Sequence, residues 1–172
     1  MNIRDFTPKI YSYAEIFARQ KELKFMFEPE SKSIFAECDI DTFEDQETFK
    51  TYCWRITEEL MEALECIDDH IPPREEVIDV LNFLMELYIL CGGDINLLEF
   101  PPQNIMHSSK PLEDRILHVI YGLGMAANVL KNRQWRQSQY LVDMYVFEPR
   151  VMRLWSDYFQ IFYCLGMNGK DI

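Results

Sequence analysis

Apolar residues recur at helical intervals along most of this chain, and nowhere do they alternate as a half-buried strand requires. Between Tyr11 and Phe27, Ile16, Phe17, Leu23 and Phe27 share one side of a helix. Residues 28–45 are acidic and broken, which predicts an irregular connection. A second helix is expected from about Gln46 to Asp69. Asp45 would be its N-cap, Glu47 would sit in the first turn, and Ile56, Leu60, Ala63, Leu64 and Ile67 would form one apolar stripe. Pro72 and Pro73 lead into a third helix, about Arg74 to Cys91, which Gly92-Gly93 would terminate. A fourth is expected from about Leu112 to Lys131, with Ser109 as N-cap. Gly122 and Gly124 within it would permit close approach of a neighbouring helix or a ligand. A fifth runs from about Glu148 to Leu165, before Gly166. The expected fold is all-α, a bundle of five or six helices forming one domain over residues 1–172.

The segment from Arg74 to Cys91 is apolar nearly all round, so it should be buried. Its polar interruptions are Glu76, Asp79, Asn82 and Glu86, and the three acids fall within one narrow arc. Buried carboxylates without partners cost several kcal/mol, so they need compensation. The preceding helix offers matching acids. Glu59 and Glu62 are three apart, as are Glu76 and Asp79, so each pair shares a helix face with Cβ atoms about 5–6 Å apart. The short, proline-bearing turn between the helices lets them pack antiparallel, with the two pairs facing one another. Four hard oxygen donors arranged so would suit Mg²⁺ or Mn²⁺. The alternative is that Glu58, Glu62 and Glu65 form a solvated face and Glu76 is a helix-start charge.

Composition narrows the function classes. With 48% apolar and 14% aromatic residues, the chain has material for a core. Lys and Arg number 17 against 29 Asp and Glu, a net charge of −12, which argues against a general nucleic-acid binder. The longest apolar candidate, Val77 to Cys91, is broken by Asp79, Asn82 and Glu86 and falls short of the roughly 18 residues a membrane span needs. Asp5 and Lys9 stand where a signal peptide would be apolar, so no export signal is expected. Cysteines 38, 53, 66, 91 and 164 form no CxxC pair and are expected to be reduced core thiols in a cytoplasmic protein. His70, His107 and His118 occur in no HExxH or ExxH pattern, so a ferritin-like di-iron site is not indicated.

The run Glu58-Glu59-Leu60-Met61-Glu62, followed by Glu75-Glu76-Val77-Ile78-Asp79-Val80-Leu81, resembles the ExxE…ExxD signature of the all-α nucleotide pyrophosphohydrolases. That superfamily includes MazG-like enzymes, dimeric dUTPases and phage dCTP/dUTP pyrophosphatases. The strong part of the resemblance covers about residues 55–90. Residues 17–23, with Gln20, are similar to the first helix of dUTPase-like members, and residues 130–137 resemble a basic, Trp-containing stretch of phage-type relatives. The sequence stops at Gly169-Lys170-Asp171-Ile172, where many dUTPase-like members have a further helix with Lys, Asn and Arg. Either another segment supplies that role, or the function is altered, or the chain is shortened.

The resemblance implies Mg²⁺-dependent hydrolysis of a nucleoside triphosphate, dUTP or dCTP ahead of purines, to the monophosphate and pyrophosphate. Glu59, Glu62, Glu76 and Asp79 would be metal ligands, and Glu62, with Glu59 beside it, would act on the attacking water. Lys131, Arg133 and Arg136, with Trp135 among them, would contact phosphates or else form a solvated helix end. Gln20, Asn82, Trp54 and Phe83 are candidates for a base pocket, the two aromatics being equally suited to plain core. A homodimer or larger homo-oligomer, with no nucleic-acid or membrane partner, completes the expectation. Two other readings stand beside it: a helical nucleotide-binding or protein-interaction module on the same fold, and a structural bundle with all its acids solvated.

Overall fold

A computed structural model describes residues 14–16, 18, 19, 22, 39–91, 110–133 and 135–167. Among them there are helices and connections but no strand, so the all-α expectation holds. Four helices are described end to end: α1 (Phe43–Asp68), α2 (Arg74–Leu90), α3 (Leu112–Ala127) and α4 (Met144–Cys164). Residues 14–16, 18, 19 and 22 are helical as well, within the expected first helix, most of which lies outside the described residues. So do Ser109 and Gly92-Gly93, the expected caps.

The helices form two hairpins. α1 packs on α2 and α3 packs on α4; the hairpins meet mainly through α1 and α3, with α2 touching α4. Apolar spacing explains the arrangement. Phe49, Ile56, Leu60 and Ala63 of α1 are fully buried, as are Val77, Val80, Leu81, Leu84 and Met85 of α2. Ile116, Val119 and Ala126 of α3 join Phe147, Tyr158, Ile161 and Phe162 of α4 in the same core. Tyr158 completes the contact between hairpins by donating its hydroxyl to the Val77 carbonyl at 2.9 Å. Gly122 lies so near α4 that a Cβ would meet Leu154 Cδ2 at 2.8 Å, whereas Gly124 faces open space, so the expected close approach holds at the first glycine only.

Helix ends differ from the expected ones for local reasons. α1 starts at Phe43, with Thr42 as N-cap: its Oγ1 accepts from Asp45 N and donates to Asp45 Oδ2 at 3.0 Å. Asp45 is thus the third residue after the cap, its carboxylate accepting from the Thr42 hydroxyl and the Asp39 N–H, rather than the cap itself. α3 ends at Ala127, four residues early, and two tight turns follow, Val129 N to Ala126 O and Leu130 N to Ala127 O. α4 starts four residues before Glu148 and carries Pro149 internally. The carbonyl that Pro149 leaves without a helical donor belongs to Tyr145, which is 96% exposed, so water can satisfy it.

α1 and α4 end in the same motif. Ile71 N reaches Cys66 O and His70 N reaches Ile67 O after α1; Met167 N reaches Phe162 O and Gly166 N reaches Tyr163 O after α4. The motif needs a left-handed residue, and the two ends fill it with His70 (φ 61°) and Gly166 (φ 67°). Glycine is relaxed there and histidine is strained. His70→Gly is therefore expected to raise the unfolding free energy by about 1 kcal/mol, and Gly166→Ala to lower it by about as much. Urea unfolding of both variants checks this.

Candidate functional site

Burial of the apolar side of α2 sets its register against α1. Two contacts and one charge coupling follow an antiparallel order: the Cys66 thiol with Glu76, the charges of Glu59 and Asp79, and the rings of Tyr52 and Phe83, 6.2 Å apart. The seam between them collects the acids. Glu59, Glu76 and Asp79 are half-buried, and Glu62 is exposed at its edge. Glu59 is pushed above the usual carboxylate range by partial burial, then by the charges of Asp79, Glu62, Glu76 and Glu58. Asp79 is raised by partial burial and by Glu75 and Glu76, against the lowering effect of the Asn82 amide, which donates to Asp79 Oδ1 at 3.5 Å. The Cys66 thiol donates to Glu76 Oε1 at 3.5 Å and is itself pushed up, first by desolvation and then by that carboxylate.

Within the described residues, no Lys, Arg or His is ion-paired with any of these four carboxylates. Glu75 and Glu76 lie in the first turn of α2, where exposed backbone N–H groups favour negative charge. The seam is thus a focus of uncompensated acid built from hard oxygen donors, the type that suits Mg²⁺ or Mn²⁺. No group of three or more His, Cys, Asp or Glu among the described residues is already placed to hold a single ion.

The other expected site residues are scattered. Asn82 is half-buried and holds Asp79, and Phe83 packs its ring against Tyr52. Trp54 is 63% exposed and about 140° around α1 from Glu59, so it neither fills the core nor faces the seam. Gln20 lies outside the described residues.

The basic stretch, expected to meet phosphates, belongs to the α3–α4 connection. Lys131 Nζ donates to Asn128 O at 2.8 Å, Arg133 Nη1 to Leu130 O at 2.7 Å, and Arg136 lies 5.7 Å over the Tyr140 ring. Trp135 is 80% exposed. Asn132 anchors this connection to the start of α1. Its N–H donates to Gln46 Oε1, its amide to Asp41 O, and its Oδ1 accepts from Tyr140 N. Gln46, fully buried, also donates to Ile40 O. Gln46 precedes Glu59 by thirteen residues, about 20 Å along the helix at about 1.5 Å per residue. Lys131, Arg133, Trp135 and Arg136 are therefore not brought to the acids within one chain, because the Asn132 contacts hold their connection at the start of α1.

The thiols also depart from expectation. Of the four described, Cys53 is buried and its thiol is pushed far up by burial, but Cys66 and Cys91 are half-buried and Cys164 is exposed; no disulfide links these four. Cys38 lies outside the described residues. Sequence reasoning missed a second charged cluster, on the α3–α4 hairpin: Arg115, His118, Arg150, Arg153 and Asp157. Its only signal was spacing, three between Arg115 and His118, and three and four along Arg150, Arg153 and Asp157. No family model, curated protein or solved structure matches this chain. No described helix is long and apolar enough to cross a membrane.

Two outcomes follow. A carboxyl whose folded pKa is raised holds its proton in the folded state at pH values where the unfolded chain has lost it. Its contribution to stability therefore falls as pH rises from about 4 through the raised value. Asp79→Asn is expected to melt higher than the parent protein at pH 7 in a chelator, with the gap closing as pH approaches about 4. Thermal melts across pH check it. Asn132→Ala leaves the Asp41 carbonyl and the Tyr140 N–H short of partners and is expected to cost about 1–3 kcal/mol, measured by urea unfolding.

Proposed function

We propose that this chain is a divalent-metal-dependent hydrolase that splits a (deoxy)nucleoside triphosphate into the monophosphate and pyrophosphate, with dUTP or dCTP favoured by the resemblance described above. The observation that carries the reading is the acidic seam. Two pairs of carboxylates, each spaced by three residues, converge from antiparallel helices, and none has a cationic partner among the described residues. A triphosphate is strongly anionic, so it could approach this seam only with cations between. Glu59, Glu62, Glu76 and Asp79 would hold magnesium or manganese, which when bound would polarise a phosphoryl oxygen and lower the pKa of water.

In this reading the chain's own groups divide the remaining work. Glu62, exposed at the edge of the seam and charge-coupled to Glu59, takes the proton of the attacking water. Glu59, with its raised affinity for protons, is the second candidate for that role. Asn82 orients Asp79 through the amide contact. Positive charge for the phosphates comes from outside the described seam, since Lys131, Arg133 and Arg136 lie at the far end of α1. A homodimer in which a second copy supplies it belongs to the same proposal, as does a cytoplasmic setting.

One observation favours a second reading, a nucleotide-binding or interaction module without turnover: no three ligating side chains are already in place for a single ion. Incubation with Mg²⁺ and a panel of nucleoside triphosphates separates the two. Pyrophosphate release that Glu62→Ala or Asp79→Asn lowers by at least about a hundredfold, with helicity intact, is the expected result. Release from none of the substrates would overturn the hydrolase, and calorimetric binding of Mg²⁺ and a non-hydrolysable triphosphate would then favour the binder.

A further inference from the structure

Trp54 on α1 and Trp135 in the α3–α4 connection serve neither the core nor the acidic seam, and both are largely exposed. They belong to surfaces of opposite charge. On α1, Trp54, Glu58, Met61, Glu65 and Asp68 follow one another at intervals of four and three, which sets them in one stripe on the side away from Ile56, Leu60 and Ala63. Glu58 is half-exposed and the other four are exposed. In the connection, Trp135, Tyr140 and Leu141 are exposed beside Lys131, Arg133 and Arg136. We propose that these two surfaces meet between copies of this chain. In the resulting two-fold dimer, α1 of one copy runs antiparallel to α1 of the other, and each connection lies on the other copy's outer stripe.

The charges match. No Asp or Glu occurs in the sequence between Asp114 and Asp143. None of the described carboxylates is ion-paired with Lys131, Arg133 or Arg136. Lys131 and Arg133 donate instead to carbonyls just past the end of α3, and Arg136 lies over Tyr140. On the stripe, Glu65 and Asp68 have no cationic partner among the described residues, and Glu58 reaches Arg55 Nη1 at 3.8 Å. A two-fold axis sets these cations against these acids twice, once at each connection. Pairing connection with connection would oppose cation to cation, and pairing stripe with stripe would oppose acid to acid.

Position favours the same pairing. Lys50, one turn before Trp54 on α1, donates to Asn132 O at 3.3 Å, so the connection lies beside the start of the stripe. Glu65 follows Lys50 by fifteen residues, about 22 Å along the helix, so one chain cannot join the two surfaces. An antiparallel second α1 closes that distance, because the start of one helix then lies beside the end of the other. The connection is already held in shape by Asn132 and by Val142 N donating to Asp41 Oδ1, so docking has few further groups to order. Trp, Tyr, Met and Arg are also the residue types enriched at the centres of interfaces. At about 150–250 Å² for a fully buried aromatic side chain, Trp54, Trp135 and Tyr140 offer on the order of 400 Å². That is about half of the roughly 800 Å² per partner in a stable interface, with Met61, Leu141 and the charged groups around them. The pairing goes beyond the hydrolase reading, which asks for a second copy but for no particular face.

Sedimentation velocity of the full chain, in a chelator and without nucleotide, tests the pairing apart from any turnover. A concentration-dependent dimer that weakens as salt rises is expected. Trp135→Ala and Leu141→Ser should each raise the dimer Kd about tenfold or more. A chain carrying Lys131→Glu and Arg136→Glu should be monomeric, as should one carrying Glu65→Lys and Asp68→Lys, both with helicity intact. Mixed in equal amounts, these two chains should dimerise again, since every contact of the mixed pair joins opposite charges. A strict monomer would overturn the pairing. So would dimerisation that survives the substitutions, or a mixture that stays monomeric. Binding of an oligo-dT probe by a monomer, abolished by Lys131→Glu with Arg136→Glu, would overturn it by assigning the connection to single-stranded nucleic acid.

Discussion

The packing of α2 against α1 is the constraint on which the rest of the molecule depends, because one register both closes the core and gathers the acids. Val77, Val80, Leu81, Leu84 and Met85 are wholly buried, and each such side chain contributes about 1.5–3 kcal/mol. Opposing them, half-solvated carboxylates repel one another by on the order of 1 kcal/mol a pair where the surroundings approach water. Hydrophobic burial therefore wins, and Glu59 and Asp79 are held beside each other against their own electrostatics. The strain appears as raised proton affinity at Glu59 and Asp79.

The two hairpins distribute their charge differently. The α1–α2 hairpin concentrates acid along its seam, and the α3–α4 hairpin concentrates arginine in its groove. What joins them is largely apolar, with a polar fastening at one end: the Asn132 N–H donates to Gln46 Oε1 and its amide to Asp41 O, which ties the α3–α4 connection to the beginning of α1. Buried polar pairs of this kind must satisfy each other or lose stability, so they specify where the connection lies. That placement removes the basic stretch from the acids. A single chain therefore offers an oxygen-rich seam and a separate arginine-lined groove in place of one combined site.

Helix periodicity made most of the fold legible. The apolar stripe of Ile56, Leu60 and Ala63 is buried as its spacing requires, and the nearly all-apolar segment after Pro73 lies in the core. The errors fall at helix ends, where one or two hydrogen bonds decide. Thr42 outcompetes Asp45 as a cap because Asp45 is better used as its partner three residues on. α4 runs through Pro149 because the affected carbonyl is at the surface and Phe147, one turn into the helix, is pinned against Phe49 with centroids 5.1 Å apart. Neither effect has a pattern that repeats along the chain.

The order of residues alone determined that the chain is helical, that two acid pairs share faces of neighbouring helices, and that the intervening turn is short enough to bring them together. Those are local properties, set by spacing of three and four along a helix and by proline in a turn. Tertiary structure decided the rest. It placed Glu62 at the edge and Glu59 inside, turned Trp54 outward, took Lys131, Arg133 and Arg136 away from the acids, and assembled Arg115, Arg150 and Arg153 from two separate helices around Asp157. Each of these depends on how helices rotate and cross when they bury their apolar faces, a sum over many distant contacts that no short stretch of sequence contains.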